Sequence, residues 1–131
     1  MLIWDEKRHS LGLPQMDHTH REFLALTAEL ALASAEDFPL LFDALVEHTR
    51  RHFENESDLM RACDFFATAE HEGEHRRVLA ELAQLQNGIL EGRPTVARTY
   101  ARSGLPEWFG THLATMDAAL AACLRRNGPT A

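Results

Sequence analysis

Apolar residues recur along this chain at helical spacing, and the alternation of a strand is absent. From about residue 15, Met16, Phe23, Leu24, Thr27, Leu30 and Ala31 fall on one side of a helical wheel. Residues 33–37, Ala-Ser-Ala-Glu-Asp, interrupt that stripe. A second stripe follows Asp37-Phe38-Pro39, where proline suits a first helical turn. It reads Leu41, Leu45, His48, His52, Glu56 and Leu59. The third reads His71, His75, Val78, Leu82 and Leu85, and ends among Asn87-Gly88 and Gly92-Arg93-Pro94. The fourth reads Leu105, Phe109, His112, Met116, Leu120 and Cys123. Within it, Gly104 and Pro106 predict a bend or break, because proline removes a backbone donor and crowds the preceding turn.

These stripes predict helices over about 15–33, 39–62, 68–88 and 95–126, after an arm of residues 1–14 closed by Gly12 and Pro14. The tail 127–131 is expected to fray. Four helices of about 30 Å with short connections predict an all-α, up-down-up-down four-helix bundle. One domain is expected to span all 131 residues.

Composition adds little to the fold but narrows the function. An apolar fraction of 45% and a charged fraction of 25% are ordinary for a globular protein. A net charge of -7, with no basic stripe, argues against nucleic acid or an anionic membrane as partner. No apolar run approaches a membrane span, and the N-terminus lacks the basic start and apolar run of a signal peptide. A cytoplasmic protein is expected. Cys63 and Cys123 stand far apart in the sequence and form no CxxC, so neither a thiolate metal site nor a disulfide framework is indicated.

The chemistry lies in the eight histidines. Stripe positions in a bundle face the interior, yet the second and third stripes carry imidazole and carboxylate there. Burying such groups without partners is costly, and a metal ion compensates while using them as ligands. His52 and Glu56 are four apart, as are His71 and His75, so each pair shares a helix face. His112 and Asp117 are five apart, about 140° on a helical wheel. Either Asp117 reaches in from the flank or the helix is locally irregular. The first helix offers His20, while His18 is expected on the surface. His48, one turn before His52, reads as a partly exposed histidine at the bundle end, or else as a group behind the ligands or a spare ligand. His9 in the arm reads as incidental. Five imidazoles and two carboxylates exceed the needs of one tetrahedral zinc and suit two ions of iron, zinc or manganese.

Taken in order, His20, His52-x-x-x-Glu56, His71-x-x-x-His75 and His112-x-x-x-x-Asp117 resemble the hemerythrin pattern. Trp4, Met16-Asp17 before His20, Phe53 after His52, Leu59-Met60 and Trp108 before His112 resemble bacterial hemerythrins as well. The resemblance covers essentially the whole chain. It implies a non-haem di-iron centre that binds dioxygen reversibly. One iron would take His71, His75 and His112, the other His20 and His52, with Glu56, Asp117 and a hydroxide as bridges. That set fills all but one of the roughly twelve positions of two octahedral ions. The vacancy, on the two-histidine iron, would receive dioxygen. Phe23, Phe53 and Trp108 would wall off water around it. Gly110, where a bulkier apolar residue is common in the family, would open that pocket. The role implied is oxygen carriage, storage or delivery, in which a partner protein could receive the oxygen. An oxygen or nitric oxide sensor, or an enzyme of peroxide or nitric oxide chemistry, would use the same centre.

Two other readings compete. His71-Glu72-Gly73-Glu74-His75 matches the HExxH motif of zinc hydrolases, with Glu72 as general base. That reading leaves His20, His52, Glu56, His112 and Asp117 idle. A ferritin-like site needs Glu-x-x-His on two helices. Glu72-x-x-His75 is one match, and the other, Glu6-x-x-His9, lies in the arm.

Overall fold

In the computed structural model, which describes residues 2–127, the chain is an all-α, up-down-up-down four-helix bundle with an N-terminal arm. The arm carries one short helix, α1 (Glu6–His9), capped by the Asp5 side chain, which accepts from Lys7 N–H. The bundle consists of α2 (Pro14–Leu32), α3 (Phe38–Ala62), α4 (Thr68–Leu90) and a fourth rod built from α5 (Thr95–Thr99), α6 (Leu105–His112) and α7 (Ala118–Asn127). Two π turns, Tyr100–Gly104 and Leu113–Asp117, join the parts of that rod. The tail beyond Asn127, expected to fray, lies outside the described residues.

The connections are short, so consecutive helices pack as antiparallel neighbours, α2 on α3 and α3 on α4. Proline stands in the first turn of both α2 and α3, where its missing N–H costs nothing. Gly92 takes a positive φ of 80° just past α4, and Arg93 N–H returns to Gly88 O at 2.8 Å. Glycine closes a helix this way without a Cβ penalty.

The expected break at Gly104 and Pro106 takes another form. The fourth rod stays continuous, and its turn widens so that Leu105 N–H reaches Tyr100 O, five residues back. Widening relieves the crowding that proline imposes on the preceding turn. Gly104 is required here, because a Cβ would stand 2.8 Å from Tyr100 Cδ1.

The core divides in two along the bundle. Phe23, Phe38, Phe42, Leu45, Val78, Leu82, Leu105 and Phe109 fill one part. Met16, Met60, Phe65, Leu120 and Leu124 fill the other, together with Cys63 and Cys123. These cysteines are distant in sequence but adjacent in space, with Cys123 Sγ 3.2 Å from Cys63 O, and both are free thiols. Among the described residues no helix is long and apolar enough to cross a membrane.

Candidate metal centre

Between the two parts of the core lies a layer of buried polar residues: His20 from α2, His52 and Glu56 from α3, His71 and His75 from α4, and His112 and Asp117 from the fourth rod. All seven are at most 5% exposed. Their ligating atoms form two groups that share Glu56. One contains Glu56, His71, His75, His112 and Asp117, the other His20, His52 and Glu56.

The π turn over Leu113–Asp117 accounts for Asp117. Ala118 N–H bonds to Leu113 O, five residues back. The widened turn absorbs one extra residue, so Asp117 shares a face with His112 although they are five apart. Thr115 Oγ1 ties itself to Thr111 O at 2.7 Å on the outer side of this turn. Of the two alternatives open in the sequence, the locally irregular helix is the one observed.

All five imidazoles present Nε2 to the interior of the layer. Each carboxylate divides its oxygens between the two groups. Glu56 Oε2 lies 2.7 Å from His52 Nε2 and 3.3 Å from His20 Nε2. Its Oε1 lies 3.2 Å from His71 Nε2 and 3.3 Å from His75 Nε2. Asp117 Oδ2 faces His20 Nε2 at 3.3 Å, while Oδ1 faces His71 at 3.2 Å and His112 at 3.3 Å. Adjacent ligands on an octahedral ion with bonds of about 2.1 Å stand about 3 Å apart, and most of these separations fall close to that.

Hydrogen bonding satisfies the layer only in part: Glu56 pairs with His20, His52 and His71, whereas Asp117 is left without a partner. Both Asp117 oxygens are buried and neither has a hydrogen-bond partner, despite three imidazole nitrogens nearby. His75 Nε2 and His112 Nε2 approach to 3.1 Å, two ring nitrogens turned on one point. Buried polar atoms arranged in this way need a cation at the focus, so the residues fit a bound metal.

Without metal, protons neutralise the cage. Burial opposes charge on His20, but Asp117 and Glu56 overcome it and raise its pKa to about 9. His71 rises to about 9 by the same balance. Burial likewise opposes ionisation of Glu56, yet the imidazoles of His52, His20 and His71 hold its carboxyl well below the usual range. Asp117 is held low against both its burial and the Glu56 charge, by His112, His20 and His71. Burial lowers His75, because Glu56 compensates it only in part.

Aromatic rings brace the imidazoles. Phe53 lies flat on His75, ring centroids 3.7 Å apart, and also touches His52. Trp108 stacks on His112 at 4.5 Å and donates its indole N–H to Glu74 Oε1 at 2.8 Å. Phe23 stacks on Phe109 at 4.9 Å, and Phe109 presents an edge contact to His20 at 5.4 Å. Phe109 was legible only as a stripe residue, three before His112. A cavity of about 160 Å³ between α2 and α3 reaches His52 and Glu56 past Met16, Thr19 and Asn55.

Other expectations change. A Cβ on Gly110 would point at Leu2 of the arm, 3.9 Å away, so Gly110 adjoins the arm and opens nothing toward the cage. His9 is not incidental: it is buried, and its Nδ1 accepts from Asp5 N–H at 2.8 Å. Asp17, also buried, accepts from Ser10 Oγ at 2.6 Å and Leu11 N–H at 2.8 Å, and so anchors the arm. His18 is exposed, and His48 is partly buried with Nε2 3.4 Å from Glu22. Glu72, the base of the HExxH reading, lines a surface groove with Arg50 and Arg76 and is not among the clustered ligands.

The profile of the hemerythrin HHE cation-binding domain matches residues 11–124. The chain belongs to the hemerythrin family. Membership implies a non-haem iron centre, and the buried histidine and carboxylate cluster is able to hold metal. A bacteriohemerythrin of Ralstonia nicotianae is 35% identical over 131 residues, all of this chain and 94% of that protein. A bacteriohemerythrin of Aquifex aeolicus is 27% identical over 126 residues, 92% of this chain and 96% of its own. In structure, the crystal form of a hemerythrin L114A mutant superposes with a TM-score of 0.87 at 21% identity, covering 95% of this chain and 97% of the other, and so shares the fold.

Proposed function

We propose that this hemerythrin-family chain is a di-iron protein that binds dioxygen reversibly, as a carrier or store rather than an enzyme. The observation that carries this reading is the division of each carboxylate. Glu56 and Asp117 both turn one oxygen toward His20 on the two-histidine side and the other toward the three-histidine side. Two carboxylates that each face two sets of imidazoles are suited to bridge two ions.

In this reading His71, His75 and His112 would hold one iron, His20 and His52 the other, and Glu56 and Asp117 would be shared between them. When bound, the irons supply two electrons and an open position for a diatomic ligand. The chain's own residues do the rest. The His20 and His52 side offers fewer imidazoles, so a diatomic ligand would be accommodated there. Phe23 and Phe109 give that side an apolar wall toward the core, and Phe53 and Trp108 hold the His75 and His112 rings in place. An apolar wall there would favour release of the ligand unchanged. The similarity to proteins named bacteriohemerythrin supports oxygen as the ligand.

Anaerobic loading with ferrous iron, followed by oxygen and an optical spectrum, tests the proposal. The expected result is two irons per chain and a charge-transfer band that appears with oxygen and vanishes on its removal. One zinc per chain, or a band that never reverses, would overturn it.

A further inference from the structure

Glu74, the second glutamate of His71-Glu72-Gly73-Glu74-His75, is not among the clustered ligands. It precedes His75 by one residue, about 100° round the helix, and so flanks the cage instead of entering it. From that flank it reaches across to the fourth rod, where its Oε1 accepts the Trp108 indole N–H at 2.8 Å in a part-buried bond. Trp108 lies one turn before His112 and stacks on that ring, with centroids 4.5 Å apart and planes 19° from parallel. Trp108 also meets Phe53 edge-on at 6.1 Å, and Phe53 lies flat on His75. One indole therefore bears on His112 directly and on His75 through Phe53, the two rings whose Nε2 atoms converge.

Two features give this contact a consequence for the cage. His112 Nδ1 is buried and has no hydrogen-bond partner. A metal-binding imidazole is ordinarily oriented by a bond from its second nitrogen, so here the task falls to the indole face. The indole has one polar group, an N–H that can only donate, and Glu74 is the acceptor that selects its orientation. The carboxylate is itself held. Arg77 donates Nη2 to Glu74 Oε1 at 2.5 Å and Nε to Oε2 at 3.3 Å. Arg77 Nη1 donates to Glu81 Oε1 at 2.9 Å, and Glu81 Oε2 accepts the Tyr100 hydroxyl at 3.3 Å. The row Glu74, Arg77, Glu81 along α4 thus grips the fourth rod at Trp108 and again at Tyr100.

We infer that Glu74 is a positioning residue: through the Trp108 indole it sets the angle at which His112 presents Nε2 to a metal ion. The inference rests on the three-histidine side binding metal, as proposed above. Loss of a group that orients a ligand lowers metal affinity by about 10–100-fold.

The test compares wild type with E74A and E74L, which remove the acceptor, and with E74Q, which keeps an amide oxygen there. Circular dichroism establishes that each is helical, and a folding defect in E74A or E74L leaves the other to decide. In the metal-free protein, nitrogen–proton spectra read the Trp108 indole and the His112 ring, with the Trp4 signal assigned by W4F. Both signals should move in E74A and E74L and stay near their wild-type positions in E74Q. With cobalt(II) bound, E74A and E74L should show altered visible bands and about tenfold weaker cobalt affinity, and E74Q should restore both. A displaced indole with an unchanged His112 signal and unchanged cobalt bands would overturn the positioning role. An unmoved indole would overturn the contact itself. Absence of bound cobalt in wild type would instead fail the metal-centre reading, and the His112 signal of the metal-free protein would still decide whether Glu74 orients that ring.

Discussion

His112 and Asp117 stand five residues apart in sequence, yet His112 Nε2 and Asp117 Oδ1 lie 3.3 Å apart in the buried cage. The π turn between them makes this possible. Its extra residue is absorbed locally, and α7 continues with Leu120, Cys123 and Leu124 still buried.

The turn can be tested by changing its length. One alanine inserted after Thr115 would carry Asp117 about 100° round the helix, away from the cage. Metal content per chain, read by atomic absorption after loading, should fall by at least half. Deleting the exposed Thr115 should instead leave a regular four-residue spacing to the aspartate and retain metal.

Glu56 faces four of the five imidazoles, so no other residue replaces it. In Glu56→Ala at least one iron should be lost, while circular dichroism still reports a helical bundle. Full occupancy in that variant would refute a bridging role.

Protonation of the cage should compete with metal. His20 and His71 have pKa values raised to about 9, so the metal-free protein holds both protons at neutral pH. Ligating imidazole must be neutral. Metal uptake at pH 7 should therefore release about two protons per chain from these groups, fewer above pH 9, and affinity should rise with pH up to that value. The metal-free fold has the opposite dependence. A raised histidine pKa stabilises fully below the unfolded value of about 6.5, and that stability is lost as pH rises through about 9. The depressed Glu56 and Asp117 carboxyls contribute above their ordinary range and lose that contribution in acid. Denaturant midpoints of the metal-free protein at pH 6 and pH 10 should differ in favour of pH 6, and indicator-dye titration during loading should count the protons.

The arm should depend on Asp17. Its carboxylate takes the Ser10 hydroxyl and Leu11 N–H in two part-buried bonds. Asp17→Ala should cost about 1.5–3 kcal/mol, the usual range for hydrogen bonds to a charged group. Urea unfolding would measure it, and metal content at saturation should stay unchanged.

Helical periodicity made much of this protein legible from its sequence. The apolar stripes defined the bundle, and the four-residue spacing of His52 with Glu56 and of His71 with His75 placed each pair on one inward face. Spacing works there because those pairs sit in regular α-helix, where local geometry alone sets which side chains coincide. Family resemblance, rather than spacing, supplied His20, His112 and Asp117. What the tertiary structure decided was everything that depends on contacts between helices or on departures from the regular turn. The π turn at Leu113–Asp117, which sets Asp117 beside the imidazoles, departs from the regular periodicity on which a sequence reading relies. The division of each carboxylate between two sets of histidines needs four helices at once. The burial of His9, the meeting of Cys63 with Cys123, and the turning of Gly110 toward Leu2 join segments far apart in the chain. No local pattern encodes such contacts, because they arise from how the stripes pack together.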